Sequence, residues 1–275
     1  MTLCLKTMRE NIGASHVLNI VTPENVREFL PELRTDLDDP LYLKVPAKAD
    51  IIRVQLLRKY GGLWLDADVI LFKEPSFFTD KLKEFDFVVM SEKPDNWLLA
   101  SKPGGKLINK WAERQNTLLN ENARSFFRRN YFSLGREILR DLTSLEKVCY
   151  LSPICSGLDS ERREITNRML RLPGVPEKAC ADKRIIMHLR NTAPGFPGTV
   201  KSSSEEEILE SNTLMGNMFR QALGMEPLEQ ESKGLGDTIA KVTKAVGIPS
   251  CGGCKRRQEK LNRLVPYDKG AKKKQ

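Results

Sequence analysis

Apolar positions along this chain recur with two periods, near 3.6 and near 2, and the two alternate. Residues 1–12 predict a short helix, and His16-Val17-Leu18-Asn19-Ile20-Val21 predicts a strand. Thr22 then stands where a helix N-cap belongs, with Pro23 at the first helical position and a helix to about Leu30. Pro40 and Pro46 punctuate a loop. From Lys48 to Tyr60, the residues Ile51, Ile52, Val54, Leu56 and Leu57 line one broad side of a helix that Gly61-Gly62 stops. Leu63-Trp64-Leu65 begins a strand that runs through Asp66-Ala67-Asp68 into Val69-Ile70-Leu71-Phe72.

Phe85–Met90 predicts a further strand. After Pro103-Gly104-Gly105 comes a helix with Leu107, Ile108, Trp111 and Leu118 on one face. Val148–Leu151 and Arg184–His188 predict later strands. Ser204-Glu205-Glu206-Glu207 has the spacing of a capping box and opens a helix with Ile208, Met215, Met218 and Phe219 inward. Strands alternating with helices imply an α/β layered domain.

After Gly224 the pattern changes. Residues 234–247 predict a short helix with Leu235, Ile239, Val242 and Val246 as its stripe. Cys251-Gly252-Gly253-Cys254, a short basic helix and a lysine-rich, disordered end follow. The expected division is a main domain over 1–225, a linker over 226–233 and a helical basic tail over 234–275.

Composition narrows the class. The chain has 275 residues, 40% hydrophobic and 29% charged, which excludes collagen-like, strongly disordered and disulfide-dense proteins. The net charge is +9, and residues 255–275 alone supply +7 of it. The basic character therefore describes a tail and not a nucleic-acid-binding body, so no nucleic-acid partner is expected. Six cysteines are too few for a disulfide framework, and Cys4, Cys149, Cys155 and Cys180 are scattered. No apolar run is long enough for a transmembrane helix, and the first residues lack the apolar stretch of a signal peptide. The expectation is a cytoplasmic chain whose basic tail allows peripheral contact with the inner membrane face.

Candidate chemistry concentrates in one stretch. Asp50 and Arg53 lie three apart on a helix and share a face. Asp66 and Asp68, two apart in an extended segment, would point the same way. Two such carboxylates repel unless a cation lies between or beside them, and hard oxygen ligands suit Mg²⁺ or Mn²⁺. Such an ion holds a diphosphate and offsets the charge that grows as it leaves. An isolated Asp-x-Asp is more often a turn, and an isolated Asp-x-x-Arg more often a surface ion pair. Together, with Gly61-Gly62 between them, they form a much sharper signal. There is no Gly-x-x-x-x-Gly-Lys-Ser/Thr loop, no Gly-x-Gly-x-x-Gly and no Gly-x-Ser-x-Gly.

Asp50, Arg53, Tyr60-Gly61-Gly62, Trp64, Asp66 and Asp68 together resemble a DXD-motif sugar-transferase family. That family includes capsular-polysaccharide-synthesis proteins and initiating α-mannosyltransferases, with the clostridial-toxin glucosyltransferase domains more distant. Its pattern is Ser-Asp-x-x-Arg, Tyr-Gly-Gly, then aromatic-x-Asp-x-Asp; Ala49 stands here where the family usually has Ser. Asn96 to Gly104 is similar to the family's Asn-x-x-x-Ala-x-x-Pro-Gly stretch, and Ile185–Leu189 to its late strand ending in His. Asn191-Thr192 occupies the region where the family has Ser-Trp.

The resemblance implies a GT-A-like fold, a Rossmann-like mixed sheet flanked by helices. The usual first strand is not seen ahead of the helix at 1–12. It implies a nucleotide-sugar donor, Mn²⁺ or Mg²⁺, and a glycan, lipid-linked or protein acceptor, with retention of configuration. Asp50, Arg53, Trp64 and Asn96 would face the donor sugar. Asp66 and His188 would meet the nucleotide or diphosphate, and Asp66, Asp68 and His188 the metal. His188 reads equally as a satisfied histidine at a strand end. No catalytic base is assigned; Asp38-Asp39 before Pro40 reads first as a turn.

The tail adds a second question. Cys251 and Cys254 supply two thiolates, whereas structural zinc wants four ligands. Zn²⁺ shared between two chains is one reading, and a tight Gly-Gly turn with incidental thiols is the other. Arg256, Arg257, Lys260 and Arg263 lie on or near one helix face and suit phosphate, an acidic protein or an anionic membrane. Two functions follow: a metal-dependent glycosyltransferase of capsule or other polysaccharide biosynthesis, or a non-catalytic sugar-nucleotide pocket whose tail does the binding.

Overall fold

Amphipathic and glycine-punctuated stretches set the elements of the chain, seen in a computed structural model. It describes residues 2–39, 42–90, 95–122, 124–130, 133–144, 146, 148–151, 186–188, 203–228, 235–245 and 252–267. Contacts divide the chain into two compact units, Met1–Pro227 and Leu228–Gln275.

In the first unit, helix α1 spans Thr2–Asn11, α2 Val26–Phe29 and α3 Val45–Tyr60. Strand β1 is Gly62–Leu65 and β2 is Val69–Leu71. Helix α4 is Ser76–Thr79, followed by strands β3 (Phe87–Met90) and β4 (Leu98–Ser101). Helices α5 (Lys106–Glu121), α6 (Arg124–Arg129) and α7 (Arg136–Thr143) lead to β5 (Cys149–Leu151). Strand β6 (Ile186–His188) and helices α8 (Glu205–Leu209) and α9 (Leu214–Ala222) complete the described elements.

The result is a mixed α/β fold. Four strands form one mixed sheet in the order β1-β4-β3-β5. Strand β4 is antiparallel to both neighbours, with Trp64 opposite Leu99 and Val88 opposite Ala100. Strand β5 runs parallel to β3. A separate antiparallel pair joins β2 to β6, with Ile70 opposite Met187.

Strand alternation assigns the two faces of the main sheet. Phe87, Val89 and Leu99 pack with Val54 and Leu57 of α3, Trp111 of α5 and Leu139 of α7. Val88, Met90, Leu98 and Ala100 pack on the other side with Met8, Val69, Leu71 and Phe78. Because both faces are covered, β3 and β4 are buried throughout and carry no polar face. Ile70 turns the opposite way from Val69 and Leu71, into a third cluster with Cys4 of α1 and Met215, Met218 and Phe219 of α9.

Several expectations fail for local reasons. His16–Val21 is not in a sheet; Asn25 Oδ1 accepts from Thr22 N–H and its Nδ2 donates to the Ile20 carbonyl, folding the segment as a loop. Val17 is 83% exposed. Because the Asn25 side chain is used there, the next helix starts only at Val26, and Pro23 lies in the turn before it. Pro46 sits within the first turn of α3, where a missing N–H costs nothing. Strand β4 answers to an unalternating apolar run not expected as a strand. The helix after the Ser204 capping box is two helices, because Thr213 accepts from Gly216 N–H and caps a second start.

The second unit contains helices α10 (Leu235–Ala245) and α11 (Gly252–Leu264). Gly252, Gly253 and Cys254 lie in the first turn of α11, so the expected Gly-Gly turn between helices is corrected. The expected stripe is also not a buried one: Ile239 and Val242 are exposed, and Val246 lies outside the described residues.

Candidate functional site

Helix α3 ends at Gly61, whose φ of +67° suits glycine, and a Cβ there would meet Pro103 Cδ at 2.6 Å and the Ser101 carbonyl at 2.9 Å. This close approach docks the helix end onto the β4 end of the sheet. One turn into the same helix, Asp50 and Arg53 face the sheet edge, and both are buried.

Arg53 is the hub. Its Nη2 lies 3.3 Å from Asp50 Oδ1 and its Nη1 3.2 Å from Asp66 Oδ1. It also donates to the Asn96 carbonyl, and its Nε donates to the Ala49 carbonyl at 3.3 Å. The guanidinium carbon sits 5.1 Å from the centroid of the Trp64 ring, a cation–π contact. Trp64 Nε1 donates to Asp66 Oδ1 at 2.7 Å, and Asn96 Nδ2 donates to Asp50 Oδ1 at 2.6 Å. Five of the expected site residues, Asp50, Arg53, Trp64, Asp66 and Asn96, therefore form one connected network from three segments of chain.

The network has a back wall. Asp66 N–H donates to the Trp97 carbonyl at 2.9 Å. Gln115 Nε2, on α5, donates to the Asp50 carbonyl at 2.9 Å and the Leu134 carbonyl at 2.8 Å. Trp111 Nε1 reaches the same Leu134 carbonyl at 3.1 Å. Gly135 presses on Asp50: a Cβ there would lie 2.2 Å from Asp50 Oδ2 and 2.6 Å from Asn96 Nδ2. Burial pushes the Asp50 carboxyl up to about 6; Arg53 pulls it down, while Asp66 and Asp95 push it further up. Desolvation thus outweighs the arginine.

Asp68 is placed differently. Residues 67 and 68 form a turn that carries the chain from β1 in one sheet to β2 in the other. The expected extended run through 66–68 is corrected, and the same-side argument based on strand alternation does not apply there. Asp66 and Asp68 are both half-buried. His188 pairs by its backbone with Val69, the residue after Asp68; its side chain lies outside the described residues. Among the described residues, no group of three or more His, Cys, Asp or Glu is placed to hold a metal ion. In the tail, Cys251 lies outside the described residues and Cys254 is exposed. Asp38 pairs with Arg27 at 2.7 Å, at the end of a 3₁₀ turn over Thr35–Asp38.

Gln115 and Gly135 were not foreseen. Gln115 had a signal: it falls on the apolar stripe of α5, one turn past Trp111, where a polar residue asks for a partner. Gly135 had none, since the contact that requires it is distant in sequence.

A mixed α/β fold with paired carboxylates at a sheet edge defines a broad class. Within it, residues 1–135 match the family of capsular polysaccharide synthesis proteins. The matched stretch contains Asp50, Arg53, Trp64, Asp66, Asp68, Asn96, Gln115 and Gly135, and neither His188 nor the Cys251–Cys254 pair. No curated protein and no solved structure matches the chain. Among the described residues, no helix is long and apolar enough to cross a membrane.

Proposed function

We propose that this chain is a glycosyltransferase that moves a sugar from a nucleotide-sugar donor to a glycan, lipid-linked or protein acceptor, with retention of configuration. The observation that supports it most is the Arg53 hub, which gathers Asp50 and Asp66 from separate elements at a sheet edge. A helix and a sheet need no such cluster to pack, and burying Asp50 there costs free energy. The likeness to capsular polysaccharide synthesis proteins points the same way.

In this reading Asp50 accepts hydrogen bonds from donor-sugar hydroxyls, while Arg53 and Asn96 hold its carboxylate in place. Trp64 fixes the Asp66 carboxylate through its indole N–H. Asp66 and Asp68 offer hard oxygens, which fit Mn²⁺ or Mg²⁺ drawing its remaining ligands from diphosphate and water. Such an ion supplies charge neutralisation on the leaving diphosphate. His188 is a further candidate ligand, by its strand register beside the Asp68 turn. A second reading, a non-catalytic pocket, is favoured by one fact: Arg53 already meets protein acceptors on all sides.

The test is thermal melting of the full chain against a panel of nucleotide sugars, each with and without Mn²⁺. A donor at 100 times its Kd should stabilise the fold by about 2.7 kcal/mol. Stabilisation by one donor, dependent on the ion and lost in Asp68→Ala, is the expected result. A folded sample that no donor shifts would sink the transferase reading.

A further inference from the structure

The unit Leu228–Gln275 leaves several aliphatic side chains of its helical hairpin exposed. Among the described residues, polar groups join its two helices. Asp237 Oδ1 accepts from Gln258 Nε2 at 2.8 Å and from Asn262 Nδ2 at 2.5 Å, and Asp237 N–H donates to Asn262 Oδ1 at 2.9 Å. Thr238 and Tyr267 join hydroxyls at 2.8 Å. Gly236 lets the backbones close, since a Cβ there would lie 2.0 Å from the Gln258 carbonyl. Gly236 is also the only residue with described burial between 235 and 267 that is buried.

Four described aliphatic side chains face solvent, while Leu235 and Leu261 are half-buried. Ile239 is 42% exposed, Val242 59% and Leu264 67%, and Val265 is exposed with them. A short helical pair ordinarily draws its stability from an apolar face buried against something. Here Ile239, Val242, Leu264 and Val265 are turned outward. They are accompanied by exposed Arg256, Arg257, Lys260 and Arg263, with Glu259 the one exposed acid between them.

Charge selects the occupant. The unit carries twelve Lys/Arg against five Asp/Glu, a net +7. A second copy on this face would bring Arg256, Arg257, Lys260 and Arg263 toward their own counterparts, inside the Debye length. Nucleic acid would meet the charges but would leave the aliphatic side chains in water, and it prefers aromatic platforms. An anionic lipid surface takes both: its headgroups attract Lys and Arg, and its interface receives Ile, Val and Leu.

We propose that the Leu228–Gln275 unit docks on anionic lipid bilayers through the outward aliphatic face of its helical hairpin and the basic side chains of α11. The full chain should co-sediment with POPC/POPG (7:3) vesicles in 100 mM NaCl and not with POPC alone. Val242→Ser and Leu264→Ser should each weaken partitioning about tenfold. Arg256→Gln should weaken it about fivefold, an effect that 500 mM NaCl removes. Both serine variants alter exposed positions, and unchanged far-UV circular dichroism keeps the comparison valid. Equal binding to the two vesicle types, or none to either, overturns the proposal. So does a solution dimer that Val242→Ser dissociates, which would assign the face to a second copy. Displacement from vesicles by a DNA duplex, with Val242→Ser binding the duplex as well as wild type, also overturns it.

Discussion

Two parts of the candidate site hold carboxylates in opposite ways. Asp50 lies behind the sheet edge, buried, with Arg53, Asn96 and Gly135 against its carboxylate and Gln115 on its carbonyl. Asp68 lies on the turn between two sheets, half-buried. The first arrangement is rigid before any ligand arrives. The second keeps a carboxylate half-buried on a turn, where the proposed ion would meet it. A buried carboxylate needs its partners built into the fold.

The contrast is broken most severely at Arg53. Replacing it by Met leaves the Asp50 and Asp66 carboxylates without their shared cation. Such losses cost about 3–5 kcal/mol. Urea unfolding of Arg53→Met should show a shift of that size, and a larger one than Asp68→Ala. Equal effects at the two positions would erase the distinction.

Asp50→Asn sharpens it through pH. The folded chain holds the Asp50 proton to about pH 6, against 3.8 for the ordinary carboxyl. The stability this raised value contributes is full below about pH 4 and is lost as pH rises through about 6. The Asp50→Asn variant has no such proton to lose. Its stability relative to wild type should therefore rise between pH 4 and pH 7, by about 2–3 kcal/mol. A flat difference across that range would mean that Arg53 fully offsets the burial.

Gly135→Ala is a milder change at the same buried carboxylate. Its methyl group would collide with Asp50 Oδ2 and Asn96 Nδ2. Overpacking of this kind costs about 1–2 kcal/mol. It should abolish the donor-dependent thermal shift as well, because the displaced carboxylate is the proposed hydrogen-bond acceptor for the donor-sugar hydroxyls. A full donor response in this variant would show that the Asp50 carboxylate does not touch the donor.

Much of the first unit could be read from residues alone. The α3 stripe, the Gly61 stop and the apolar strand β3 follow from periodicity and from glycine's tolerance of positive φ. The joining of Asp50 with Arg53 was also legible, because both lie on one helix face. What spacing could not show was the sheet exchange at 66–68, since pairing partners are set by contacts far along the chain. Strand β4 escaped because a run buried on both faces has no alternation to betray it. The segment at 16–21 had the right residue types but pairs with no strand among the described residues. The tail stripe failed for a different reason: helical periodicity identifies an apolar face without saying what covers it.

Trp64 has one more consequence. The chain contains three tryptophans, and Trp97 and Trp111 are buried in the two cores that flank the main sheet. Trp64 alone is half-buried, with a guanidinium over its ring and a carboxylate on its indole nitrogen. Any charge that enters beside Asp66 changes the field across that indole. The protein thus carries its own fluorophore within the Arg53 network, and its emission should shift, without a dye or a labelled substrate, if the proposed donor or ion binds beside Asp66.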